Sequence, residues 1–246
     1  MFKKLIFGLS LWLFATTLSF GANFDDGVNA YEKGDYKTAL TIFEDLAKKG
    51  DIDAQYNLGL MYDNGYGVKQ DYKKAFEWYE KAANQGIAKA QHNLGVMYER
   101  GQGVKQDYKK AFEWYEKSAI QGIANAQHNL GVMYSNGKGV KQDYKKAFEW
   151  YEKAANQGFA KAQHNLGVMY KNGKGVKQDY KKAFEWYEKA ATQGIAEAQN
   201  NLGVMYDDGY GVRQDKKIAK ELYGKACDGG FQIACDNYKI LNQQGY

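Results

Sequence analysis

A strict internal period of 36 residues constrains this chain more than any other feature of its sequence. The hexapeptide AQYNLG at residue 54 returns at residues 90, 126, 162 and 198 and changes only in its third letter. The fifteen residues from Gly67 to Lys81 recur unchanged from Gly103, Gly139 and Gly175, and the copy that starts at Gly211 is degenerate. Such periodicity is typical of arrays in which one small helical or β unit stacks on the next.

Each unit predicts a pair of helices. In the first copy, Ala54, Leu58, Met61 and Tyr62 form one apolar stripe at helical spacing. Gly59 lies inside this helix, where glycine costs ~1 kcal/mol relative to alanine, so we expect another helix to approach it closely. Glycines then end the first helix, and Asp71 is placed to cap the second.

Two short helices cannot bury both of their faces, so each pair must stack on the next. We therefore predict an all-α fold, a right-handed superhelical α-solenoid of helix-turn-helix repeats. Its predicted units cover residues 52–87, 88–123, 124–159, 160–195 and 196–230, with a related helix pair over residues 23–51 and a closing helix over residues 231–246.

Residues 1–22 are predicted to be a cleaved signal peptide. A short basic stretch ending at Lys4 precedes an apolar run from Leu5 to Leu18, and small residues follow at Gly21 and Ala22. The alternative is a membrane anchor, but this run is shorter than the ~20 residues that cross a bilayer. We therefore expect an exported protein without stable membrane insertion.

Composition narrows the classes of protein further. The chain is 44% hydrophobic and 26% charged, with 28 Gly and no Pro, which argues against disorder and collagen-like sequence. Its net charge of +5 falls to +3 once Lys3 and Lys4 leave with the signal peptide. So mild an excess of positive charge does not indicate a nucleic-acid partner.

The repeats resemble a known family. Their pattern is A-x-x-x-L-G-x-x-Y-x-x-G-x-G-V-x-x-D-x-x-K-A-x-x-W-Y-x-K-A-A-x-x-G, which is similar to that of Sel-one-like repeats. These are relatives of tetratricopeptide repeats, and residues 23–51 resemble an ordinary tetratricopeptide unit. The resemblance implies a scaffold whose concave groove holds a peptide or a partner protein.

A narrower resemblance concerns Cys227 and Cys235, the only two cysteines. The Helicobacter cysteine-rich proteins, secreted repeat proteins of this type, carry a disulfide of this spacing in most repeats, and the resemblance implies the same bridge here. Because a disulfide and a signal peptide both indicate an oxidising compartment, we expect a periplasmic or secreted protein of the bacterial cell envelope.

The candidate binding residues lie on the side of the first helix away from its apolar stripe. One row consists of Asn57, Asn93, Asn129, Asn165 and Asn201, and the residues before them are Tyr56, His92, His128, His164 and Asn200. On such a solenoid this side lines the concave surface, where amides and rings could bond an extended peptide. The alternative interpretation is that the asparagines tie neighbouring helices together.

No cofactor, metal site or catalytic residue is predicted. The histidines come from different repeats, and packed helices stand ~8 to 10 Å apart, too far for shared zinc ligands. We predict a non-catalytic scaffold for a protein or peptide partner, with a repetitive cell-wall glycan as one alternative. A β-lactamase or penicillin-binding activity, described for some cysteine-rich relatives, is the other. Ser118 is not followed by a lysine at Ser-x-x-Lys spacing, and although Ser135 and Lys138 have that bare spacing, the sequence lacks the Ser-Asp-Asn and Lys-Thr-Gly elements of such enzymes.

Overall fold

A computed structural model describes residues 22–246, which form thirteen α-helices and no strand. In chain order the helices are α1 (Phe24–Glu32), α2 (Tyr36–Lys48), α3 (Ile52–Asn64), α4 (Tyr72–Asn84), α5 (Ala88–Arg100), α6 (Tyr108–Ile120), α7 (Ala124–Asn136), α8 (Tyr144–Asn156), α9 (Ala160–Asn172), α10 (Tyr180–Thr192), α11 (Ala196–Asp208), α12 (Lys216–Asp228) and α13 (Gln232–Gln243). Each helix packs mainly on its neighbours in the chain. The predicted all-α solenoid is therefore confirmed.

The predicted signal peptide lies, apart from Ala22, outside the described residues. Within residues 22–246, no helix has the length and apolar character needed to cross a membrane.

Local sequence signals set the helix ends where they were expected. The Asp71 carboxylate accepts hydrogen bonds from the backbone N–H groups of Lys73 and Lys74, and so caps α4. Gly65 follows α3 in the left-handed conformation that glycine adopts without steric cost. In the later repeats too, an aspartate caps the second helix and a glycine ends the first helix. Each of these repeats therefore has the same hairpin geometry.

The core is built from the predicted stripe of each first helix and the aromatic face of each second helix. Ala54, Leu58 and Met61 are fully buried, as is Tyr79 from α4. A methyl group added to Gly59 would lie 2.5 Å from the ring of Tyr79, which explains the glycine inside α3. The predicted close approach at this glycine is confirmed, and it is made by a tyrosine ring of the same repeat.

Buried glutamines connect one repeat to the next. Gln91 in α5 donates from Nε2 to the carbonyl of Ala83 at the end of α4, at 3.1 Å, and accepts from Gln121 at 2.8 Å. The same side-chain to carbonyl bond joins Gln127 to Ala119, Gln163 to Ala155 and Gln199 to Ala191. Each junction between repeats therefore carries a satisfied polar clamp.

The C-terminal junction carries a disulfide at the equivalent place. Cys227 and Cys235 are bonded, with their Cα atoms 4.7 Å apart. They stand at the repeat positions that alanine and glutamine occupy at the preceding junctions. The disulfide thus joins α12 to α13 where a glutamine joins the earlier helices.

Candidate functional site

The first helices share one polar side, which we call the first-helix face. It is the side of α3, α5, α7, α9 and α11 opposite the buried stripe. In α7 it consists of Asn125, His128, Asn129, Val132 and Ser135, which are half-buried or exposed. The side chains on this face are mostly short, whereas the second helices carry Trp, Phe, Lys and Glu on their outer side. The layer of first helices is thus the less bulky one, as expected for the inner side of a curved array.

Asparagines and histidines of neighbouring repeats bond to one another across this face. Asn129 donates from Nδ2 to Nε2 of His92 at 3.3 Å, and Asn165 donates to His128 at 3.2 Å. Asn201 continues the row by donating to His164 at 3.0 Å. At the C-terminal end, Asn237 donates to Asn200 at 3.1 Å. The structure therefore brings most of the predicted site residues together in one continuous row.

With the amides oriented in this way, the contacts correspond to neutral imidazoles. Because an amide N–H can only donate, Nε2 of His92 must be the unprotonated nitrogen that accepts. Its Nδ1 lies 3.3 Å from Oδ1 of Asn93 and donates to it. Burial lowers the pKa of His92, His128 and His164, which favours the neutral ring.

The asparagines keep part of their bonding capacity. An amide has two N–H donors and an oxygen with two acceptor sites. Asn129 spends one donor on His92 and one acceptor site on Nδ1 of His128. Its second donor bonds the oxygen of Tyr115, so one acceptor site remains, which can accept from a peptide N–H group. Asn57 differs, because it donates to the backbone carbonyl of Asp53 in its own helix at 2.8 Å.

The depressed histidine pKa values predict acid sensitivity. In the unfolded chain these rings take up a proton near pH 6.5, whereas in the folded chain they do so only at lower pH, so stability falls as the pH is lowered through this range. Each histidine contributes a slope of at most ~1.4 kcal/mol per pH unit. Chemical denaturation between pH 7.5 and pH 5 measures it.

A variant with glutamine in place of His92, His128 and His164 serves as the control. It cannot titrate in this range, and its stability should change less over the same interval. Neighbouring charges modulate each ring, because Glu99 and Glu197 raise the pKa of His92 and His164 while Lys161 lowers that of His128. Equal pH dependence of both proteins would contradict the assigned neutral row.

A cavity of about 250 Å³ opens on this face between the first and second repeats. Its lining includes Asp63, Asn93, Val96 and Arg100. Burial raises the pKa of the Asp63 carboxyl, and the Tyr79 hydroxyl donates to it at 3.2 Å. A larger cavity, about 570 Å³, lies elsewhere, against α12 and α13.

The two serines considered for acyl transfer occupy different environments. Ser118 is fully buried, and its hydroxyl donates to the carbonyl of Ala88 at 2.8 Å. Ser135 lies on the first-helix face, where its side chain bonds Tyr151. Among residues 22–246, no three histidine, cysteine or acidic side chains cluster as metal ligands would.

Comparison with known proteins agrees with the repeat pattern. The model of the Sel1 repeat family matches residues 52–87, 88–123, 124–159, 160–195 and 196–231. No curated protein matches the chain.

Several solved structures are similar. One is a protective antigen of uropathogenic Escherichia coli strains that displays an SLR fold, 37% identical over 91% of this chain with a TM-score of 0.82. The present chain spans about half of that protein, 52% of its length. A Sel1 repeat protein from Oxalobacter formigenes is 35% identical over 86% of this chain and 84% of its own, with a TM-score of 0.81. Cysteine rich protein B of Helicobacter pylori is 32% identical over 53% of this chain and 94% of its own, with a TM-score of 0.42.

Proposed function

The chain belongs to the Sel1 repeat family, and from this premise we propose that it is an exported, non-catalytic scaffold that binds an extended segment of a partner protein on its first-helix face. Repeats of this class mediate protein–protein interactions. The observation that carries the proposal is the row of half-buried amides, whose oxygens have an acceptor site left over. A row of this kind can pair with the backbone of an extended peptide along several repeats.

Two further features, rigidity and apolar contact, support binding at this face. The glutamine clamps and the Asn–His row hold successive repeats in a fixed relation, so little ordering is required when a partner binds. The Val132 and Val168 side chains lie half-exposed beside the amides and offer apolar contact. An extended segment could use both kinds of contact at each repeat.

The cell envelope is the proposed location. The Cys227–Cys235 disulfide supports it, because such bonds persist in oxidising compartments. The proposed signal peptide would direct export. No contact made by Ser118 or Ser135 favours the β-lactamase alternative, because the first hydroxyl is buried against a carbonyl and the second faces a tyrosine.

Blocking the first-helix face tests the proposal. A variant with Val132→Trp and Val168→Trp places bulky uncharged side chains among the amides. The matched control carries Asn156→Trp and Thr192→Trp, which add the same bulk at exposed ends of second helices. Partners are captured from the cell envelope on the immobilised wild-type chain. We expect the captured protein to be lost with the first variant and retained with the second, when both have wild-type helix content by circular dichroism. Retention by both variants would refute the proposed surface.

A further inference from the structure

The first four repeats differ in charge in one region only. Among the first four copies, every difference in charge falls at the second, twelfth, thirteenth or fifteenth residue of the unit. The second, twelfth and thirteenth residues lie on the first-helix face, and the fifteenth lies in the loop that follows it. The second-helix sequence from Tyr72 to Lys81 recurs unchanged in the three repeats that follow.

These four positions divide the array into charged zones. The first repeat carries two negative charges there, on Asp53 and Asp63. The central repeats, residues 88–195, carry one carboxylate and six cations, which are Lys89, Arg100, Lys138, Lys161, Lys171 and Lys174. The fifth repeat is again negative, through Glu197, Asp207 and Asp208. A basic centre is thus enclosed by two acidic ends.

In the described part of the chain, the central cations form no ion pair within 4.0 Å, although burial raises the pKa of the Asp63 carboxyl and nearby Arg100 partly offsets this. Among residues 22–246, the ion pairs within 4.0 Å are Lys49 with Asp45 and Lys216 with Asp207. The one carboxylate of the centre, Glu99, already accepts a hydrogen bond from the Tyr115 hydroxyl at 2.6 Å. The positive charge of this zone is therefore available to an external anion.

The fourth repeat shows where one such anion would bind. In the first two repeats, a buried tyrosine donates to a carboxylate at the twelfth position, Tyr79 to Asp63 and Tyr115 to Glu99. In the fourth repeat that position holds Lys171, which cannot accept. The equivalent Tyr187 is 1% exposed, and burial alone raises its pKa, with no hydrogen bond contributing.

The small exposed part of Tyr187 includes its hydroxyl. Among the described residues, no fully buried side-chain oxygen or nitrogen lacks a partner, so an unpartnered hydroxyl has to be its exposed atom. By repeat equivalence it points towards the end of α9, where Lys171 lies. A donor and a cation therefore stand where the first two repeats hold a carboxylate.

We propose that the first-helix face of residues 88–195 binds an extended acidic polypeptide segment, with one side-chain carboxylate bound between the Tyr187 hydroxyl and the Lys171 ammonium. The proposal rests on the proposed function and specifies its partner class. Three packed repeats span roughly 30 Å, the length of about nine extended residues. The acidic first and fifth repeats would repel a longer uniform polyanion, which favours a polypeptide with a limited acidic stretch over a nucleic acid.

The probe is a fluorescein-labelled, C-terminally amidated 12-residue peptide of alternating Glu and Ser, and binding to the disulfide-bonded chain is measured by fluorescence anisotropy. We expect it to bind at least tenfold more tightly than the matching Gln–Ser peptide. Charge reversal by Lys161→Glu, Lys171→Glu and Lys174→Glu should weaken binding at least tenfold. The same reversal on second helices, by Lys145→Glu, Lys146→Glu and Lys181→Glu, should change it less than threefold.

Two conservative variants test the carboxylate position. Tyr187→Phe should weaken binding of the Glu–Ser peptide two- to fivefold. Tyr151→Phe should leave the affinity unchanged, because the Tyr151 hydroxyl already bonds Ser135 and Asn165. Asp208 lies at the same junction, since it corresponds to Arg100, which lines the cavity with Asp63. Asp208→Asn should therefore strengthen binding.

Equal affinity for the Gln–Ser peptide, or equal losses in the two charge-reversed variants, would overturn the acidic assignment. Tighter binding of a twelve-nucleotide oligothymidylate than of the Glu–Ser peptide would overturn it in favour of a nucleic acid. If the blocked Val132→Trp, Val168→Trp variant loses its captured partner while the Glu–Ser peptide never binds, the acidic inference fails alone. If that variant keeps its partner, the proposed function itself fails.

Discussion

Gly139→Ala is expected to lower the free energy of unfolding by more than about 3 kcal/mol. Gly139 has a φ of +69°, close to the +68° of its counterpart Gly103, and a side chain in this conformation costs ~1 to 2 kcal/mol. The added methyl group would also overlap the backbone carbonyl of Tyr108 at the start of α6. Since neither backbone can turn aside as a side chain does, we expect the loop of one repeat to move off the preceding repeat.

Gly158→Ala is the matched control for this prediction. Gly158 has a φ of +86°, and a methyl group added there would meet nothing within 4 Å. It should therefore cost only the conformational penalty of ~1 to 2 kcal/mol. Urea denaturation followed by circular dichroism compares the two variants. Equal losses of stability would show that the contact between repeats at Gly139 is unimportant.

Gly131→Ala should destabilise the fold by up to about 2 kcal/mol, against the helix propensity scale. In an open helix the same change stabilises by ~1 kcal/mol. Here the methyl group would lie 2.6 Å from the ring of Tyr151, which is held in the core by the surrounding helices. Displacing a packed ring costs ~1 to 3 kcal/mol.

Gly224→Ala provides the comparison within a helix. A methyl group at Gly224 in α12 would lie 3.4 Å from the ring of Tyr238, an ordinary contact distance. This variant should be neutral or more stable than the wild-type chain. Thermal unfolding of both variants is the test, because Gly131→Ala should lower the stability and Gly224→Ala should keep or raise it. A stabilising Gly131→Ala would contradict the packing of Tyr151 on α7.

Much of the fold could be predicted because its signals are local and repeated. Asp71 caps α4 and Gly65 ends α3 by contacts within a few residues, and the 36-residue period copies both. The role of the glutamines could not be predicted in the same way. Gln91 bonds Ala83 only because two repeats stack with a particular offset. Its spacing from Ala83, equal to that of Cys227 and Cys235, was the available signal.

The sequence predicted the location of the candidate site residues but not the bonds that they make. Periodicity placed the histidines and asparagines on one side of the first helices, and the structure finds them there. It could not decide what they bond, because Asn129 and His92 meet only through the stacking of separate repeats. Whether the Tyr187 hydroxyl has a hydrogen-bond partner depends on the same stacking and on which residue stands at position 171. Both interpretations of the asparagines remain compatible with their contacts, since each amide ties two repeats and keeps bonding capacity.

Lysine acetylation footprinting of the chain with its captured partner tests the central claim most directly. Lys89, Lys161 and Lys171 lie on first helices, whereas Lys109, Lys145 and Lys181 lie on second helices and report jointly because their peptides are identical. If the partner binds the first-helix face, its binding slows acetylation of the first-helix lysines several-fold and leaves acetylation of the second-helix lysines unchanged. Protection of the second-helix lysines with free reaction of the first-helix lysines would contradict binding at this face.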